Sequence, residues 1–114
     1  MKLVYIAGPF RAPTNYRIKL NVRRAEAAGL EVCKLGAMAV IPHKVTEEFQ
    51  GELPDEFWIA GTLAVLRRCD AVLAVGVWER SSGTRDEIAE ANRLSIPVFY
   101  AVDEVREWLE RTGK

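Results

Sequence analysis

The residues with the most chemical potential lie together in Ser81-Ser82-Gly83-Thr84-Arg85-Asp86-Glu87-Ile88. A carboxylate, several hydroxyls and a glycine meet there, where an apolar run gives way to a helix-forming stretch. With Ser82 or Gly83 at the cap, the 3.6-residue period puts Thr84, Glu87, Ala91 and Leu94 on one stripe with Ile88 beside it, and turns Asp86, Glu90 and Arg93 to water. Glu87 thus falls on or beside the apolar face, where an acid must be paired, desolvated or put to chemical use. A purely structural reading stays open, in which it is a first-turn acid offsetting the helix dipole or closing a capping box.

A second group is Gly8-Pro9-Phe10-Arg11, which stops the apolar run Leu3 to Ala7. Arg11, the only charge in its loop, is the natural anion contact or else an ordinary solvated arginine. His43 lies just past a second apolar run and reads as a strand-end hydrogen-bonding residue rather than a catalyst. Trp78 opens the loop that leads to Ser81. Free amides at the start of the Glu87 helix suit an anion such as phosphate. A carboxylate one turn further on could attack or stabilise an electron-poor carbon, as in retaining glycosidases. Tyr5, inside the first apolar run, is a candidate to face that carboxylate. Other templates match poorly: there is no G-x-x-x-x-G-K-[ST], no G-x-G-x-x-G and no G-x-S-x-G. A lone histidine with scattered Cys33 and Cys69 cannot surround a zinc ion, so no metal and no cofactor is expected.

The elements that must position these groups alternate. Residues 3–7 read as a buried strand, and 16–35 as an amphipathic helix carrying Ile18, Val22, Ala25, Gly29 and Val32 on one face, with Gly36 as its C-cap. A strand over 37–41 comes next, then a loop over 45–53 with room for a helical turn. A helix then opens at Pro54-Asp55-Glu56 and runs to about Arg68, with Trp58, Thr62 and Val65 on one face. Residues 70–77 make the most apolar strand, the Glu87 helix spans 83–94, a strand covers 97–102, and Asp103 caps a terminal helix. This order predicts an α/β fold: three α-β-α layers around a mainly parallel sheet of four to five strands, flavodoxin- or Rossmann-like, as a single domain over 1–114. In such sheets ligands bind beyond the carboxyl ends of the strands, where strand order reverses. If the first and third strands are neighbours, Arg11, Ser81, Ser82 and Glu87 converge there.

Composition narrows the function classes. The 114 residues are 49% hydrophobic and 28% charged, enough for one packed core. Sixteen basic residues against sixteen acidic ones give a formal charge of zero, which leaves no electrostatic footprint for a nucleic-acid polymer or an anionic membrane. No apolar run spans a bilayer and no signal-peptide pattern opens the chain, so a soluble cytoplasmic protein with reduced thiols is expected.

Tyr5-Ile6-Ala7-Gly8-Pro9-Phe10, then Cys69-Asp70-Ala71-Val72-Leu73-Ala74, then Ser82-Gly83-Thr84-Arg85-Asp86-Glu87-Ile88, resemble in order and spacing the nucleoside 2-deoxyribosyltransferase superfamily. The resemblance implies that Glu87 is the nucleophile taking a deoxyribosyl group at C1′, that Tyr5 supports it, and that Gly8 and Pro9 line the sugar site. Related 2′-deoxynucleoside 5′-phosphate N-hydrolases imply Arg11, Ser81 and Ser82 as phosphate contacts. Phe10, His43, Trp78 and Gly83 complete the expected binding residues. The superfamily's base-side aspartate has no counterpart: Ala60, Gly61 or Thr62 falls near its position, and Asp55 lies earlier. The expected partners are a nucleoside or nucleotide and further copies of the chain, as a homodimer or higher homo-oligomer. The expected activity is hydrolysis or transfer at an N-glycosidic bond. The alternative is a non-catalytic nucleotide-binding or sensing domain, and a weaker one is a structural oligomer with a vestigial crevice.

Overall fold

The computed structural model describes residues 1–113. Four strands, β1 (Leu3–Ala7), β2 (Met38–Val40), β3 (Ala71–Ala74) and β4 (Val98–Phe99), form one all-parallel sheet in the order β2-β1-β3-β4. The helices are α1 (Asn15–Lys34), α2 (Pro42–Thr46), α3 (Asp55–Leu66), α4 (Ser82–Arg93) and α5 (Val102–Thr112). The expected three-layer α/β fold is therefore present, with four strands and with β1 beside β3.

Alternation along β1 divides the core. Val4 and Ile6 pack with Ala25 and Val32 of α1 and with Val105, Trp108 and Leu109 of α5. Tyr5 and Ala7 point to the other face, toward Leu66 of α3 and Ala91 of α4. That two-residue period is what delivers Tyr5 to the α4 side of the sheet. Gly29 sits on the buried stripe of α1, where a Cβ would come within 2.5 Å of Ile41 Cδ1 and 3.3 Å of Ala39 Cβ. Its missing side chain lets α1 lie close over β2. An ion-paired cluster ties α3 to α4: Glu90 accepts from Arg67 Nε at 2.5 Å and from Arg93 Nε at 2.7 Å.

Several expectations need adjustment. The strands are shorter than the apolar runs. Gly76, at φ 68°, turns the chain soon after β3. After β4 the Tyr100 amide is taken by the Glu104 carboxylate at 2.7 Å, which starts α5 instead of extending the ladder. Ala101 is the N-cap of α5, and Asp103, the expected cap, pairs with Arg106 inside the first turn. Part of the expected 45–53 loop is taken by α2, which begins earlier, at Pro42, where the ring's fixed φ suits a first helical position. Ser81, one residue before the expected cap, caps α4 by accepting from the Thr84 amide at 3.2 Å. Leu94, expected on the buried stripe, is 38% exposed at the C-cap of α4. Glu90, expected to face water, has a side chain only 13% exposed beneath its two arginines.

Candidate active site

Glu87 lies in the second turn of α4, and the rotation of that helix is set by the buried Thr84, Ile88 and Ala91. Thr84 also donates its hydroxyl to Ser81 Oγ at 2.8 Å, anchoring the first turn. Glu87 is thereby directed at β1, where the Tyr5 hydroxyl donates to Glu87 Oε2. Tyr5 is fully buried. Burial pushes the Glu87 carboxyl up to about 7; the Tyr5 hydrogen bond opposes the rise and the neighbouring Asp86 charge adds to it. Burial first, then the Glu87 charge, raises the Tyr5 phenol well above its ordinary value. Tyr5 therefore remains a hydrogen-bond donor across the working pH range.

The turn after β1 closes the other side. Gly8 packs so tightly on the end of β3 that a Cβ would meet Val75 Cγ2 at 2.7 Å and Val75 O at 3.0 Å. His43, 4% exposed, reaches from α2 to place Nε2 3.0 Å from Gly8 O and 3.1 Å from Pro9 O. Both partners are acceptors, so Nε2 carries the proton and donates to the turn. Burial lowers the imidazole's pKa, and the two carbonyls act against that. Phe10 stacks on the ring at 5.6 Å between centroids.

These groups border an open cleft of about 120 Å³. Among the residues expected from the sequence, Tyr5, Gly8, Phe10, Arg11, His43 and Glu87 line it. Pro9, Trp78, Ser81, Ser82 and Gly83 are not part of the lining. Trp78 instead packs on Tyr100 at 5.1 Å, and Ser81 Oγ accepts twice from Thr84 at the α4 cap, which leaves its O–H to donate elsewhere. Arg11 pairs with Asp55 at 3.0 Å across the cleft mouth. That hydrogen bond, then the guanidinium charge, holds the Asp55 carboxyl below the usual range. Asp55 is ionised at neutral pH and carries no proton for a leaving group. Among the described residues no cluster of His, Cys, Asp or Glu is placed to hold a metal.

The lining also includes residues that were not among the expected binding residues, although the sequence puts Thr62 near the base-side position. Trp58, Ile59 and Thr62 come from α3, and Thr46 and Gln50 from α2 and the turn behind it. A tryptophan at helical spacing reads as core, which hid Trp58. The available signal was that residues 57–66 carry no charge at all, more apolar surface than one buried stripe requires.

A family model described as a domain of unknown function, DUF7768, matches residues 2–101. The chain belongs to that family. No curated protein matches it. Among solved structures, this DUF7768 chain is similar to a 2-deoxyribosyltransferase from the psychrotolerant bacterium Bacillus psychrosaccharolyticus, with a TM-score of 0.62 and 21% identity. The match covers 84% of this chain and 69% of that one. The two proteins share a fold, in agreement with the resemblance read from the sequence motifs.

Proposed function

We propose that this DUF7768 chain cleaves or exchanges an N-glycosidic bond in a nucleoside or nucleoside 5′-monophosphate, with Glu87 as nucleophile. The observation that carries the reading is the hydrogen bond from the fully buried Tyr5 to the half-buried Glu87 at the wall of the cleft. The shared fold with a protein described as a 2-deoxyribosyltransferase supports the substrate class. In the proposed step a Glu87 oxygen bonds to C1′ while the C1′–N bond breaks and its electron pair leaves with the base. Water then hydrolyses the glycosyl ester, or a second base takes the sugar. Tyr5 holds the carboxylate in line, and its hydrogen bond favours the ionised, nucleophilic form. Burial strips the carboxylate of water and makes it more reactive. Arg11 is the candidate phosphate contact; its solvent-exposed pair with Asp55 is a weak one, so a phosphate can displace it.

The reading includes assembly with a second copy. It is supported by the open cleft and by the adjoining apolar surface, on which Phe57 is 54%, Ile59 56% and Phe49 48% exposed. The decisive experiment incubates purified protein with a panel of nucleosides and 5′-monophosphates and follows free base. Glu87→Ala is expected to lower release at least about 10³-fold. Release that survives the substitution removes Glu87 from the reaction. Exchange on adding a second base separates transferase from hydrolase.

A further inference from the structure

Two polar atoms at the cleft remain without partners. His43 Nδ1 and Trp58 Nε1 are each buried and make no hydrogen bond among the described residues, and both residues line the cleft that Glu87 lines. Their chemistry is complementary. Because Nε2 of His43 donates to the carbonyls of Gly8 and Pro9, Nδ1 of the neutral ring presents a lone pair and can only accept. The indole N–H of Trp58 can only donate. Both rings pack on aromatic neighbours: His43 is stacked by Phe10, and Trp58 meets Phe49, stacked at 5.8 Å, and Phe57, edge-on at 5.1 Å. A buried donor or acceptor left unsatisfied costs about 1–3 kcal/mol, so a fixed pair of this kind, one of each sense, marks a place that a ligand completes.

We infer that His43 Nδ1 and Trp58 Nε1 together read the leaving group, accepting from an N–H and donating to a ring nitrogen or carbonyl of a heteroaromatic base. The inference rests on the N-glycosidic reading above and deepens it. It also bears on how the base leaves. With Asp55 held as a carboxylate by Arg11, and with Ala60, Gly61 and Thr62 unable to act as acids, the Trp58 N–H supplies a fixed dipole toward a base departing with the electron pair. Solvent then delivers the proton. Such a site selects bases by their hydrogen-bonding edge and stabilises the leaving group without proton transfer from the protein.

The test measures dissociation constants of the four common 2′-deoxynucleosides and of their 5′-monophosphates. For the tightest binder, it also measures analogues with one ring nitrogen replaced by C–H or the exocyclic amine replaced by hydrogen. Trp58→Phe keeps the aromatic packing and removes the donor. It is expected to weaken the parent about five- to tenfold and to leave unchanged the analogue that lacks the matching acceptor. His43→Gln keeps an N–H for the Gly8 and Pro9 carbonyls and removes the Nδ1 acceptor. It should weaken the parent similarly and leave the analogue without the matching N–H unaffected. Should either variant fail to fold, analogue binding to the unsubstituted protein still decides, since deleting the matching atom must cost the same factor. If the protein binds the parent and every analogue alike, the inference is overturned while the Glu87 reading stands. If neither the nucleosides nor their 5′-monophosphates bind, both fall.

Discussion

Glu87 stands near its titration midpoint at neutral pH, because burial raises its carboxyl to about 7. A carboxyl raised above its unfolded value, near 4.3, contributes its stability below that unfolded value and loses it as pH climbs through 7. Glu87→Gln abolishes the ionisation while keeping an acceptor for Tyr5. The variant is expected to match the parent near pH 4 and to exceed it by on the order of 3 kcal/mol at pH 8. Denaturant melts at the two pH values measure this, and an unchanged gap contradicts the assignment of a buried, raised Glu87. Catalysis should run the opposite way, since attack needs the carboxylate: the rate rises with pH through about 7. Tyr5→Phe removes the interaction that holds the Glu87 value down. The acid limb of the pH–rate profile should therefore move to higher pH, and a limb that stays in place or moves lower argues that Tyr5 does not tune Glu87.

The site depends on elements meeting at their ends, and the tightest meeting is Gly8 against Val75. A methyl at position 8 has no room against a backbone oxygen 3.0 Å away, so Gly8→Ala must push the ends of β1 and β3 apart. We expect a loss of about 1–3 kcal/mol in unfolding free energy together with impaired turnover, read by denaturant melts and base release. Full activity with unchanged stability would show that the turn has slack. Much of this scale was legible in the sequence. Gly8-Pro9 after one apolar run, and Ser81 to Glu87 after another, can meet only if those two strands are neighbours, and they are. What escaped was set by tertiary context. Trp78 looked like a cleft residue by position, but Tyr100 claims its ring. Trp58 looked like core by period, but α3 turns it to the cleft. Ser81 looked like an anion contact, and its Oγ is also the acceptor that caps α4, which leaves only its O–H for a ligand.

At the scale of the whole molecule, α3 is the outlying element: only Leu66 of its residues is fully buried, although residues 57–66 are uncharged. An apolar helix left this open fits a surface covered by a second copy. Sedimentation is expected to find a dimer or larger assembly, and Phe57→Glu, which places a charge at a 54% exposed position, to shift it toward monomer. A parent chain that sediments as a monomer at high concentration contradicts this. Among the described residues no helix is long and apolar enough to cross a membrane.

The all-parallel sheet also ties chemistry to the order of folding. Tyr5 and Glu87 are 82 positions apart, and parallel strands form no hairpin that could bring them together locally. Such distant contacts carry the largest loop-closure cost and tend to form late. A partly folded chain that has gathered α1 over β1 and β2 holds a tyrosine with an ordinary phenol and, far along the chain, a glutamate with an ordinary carboxyl. Neither is reactive alone. On the proposed function, reactivity toward a sugar carbon therefore arises only once β3 and α4 have docked.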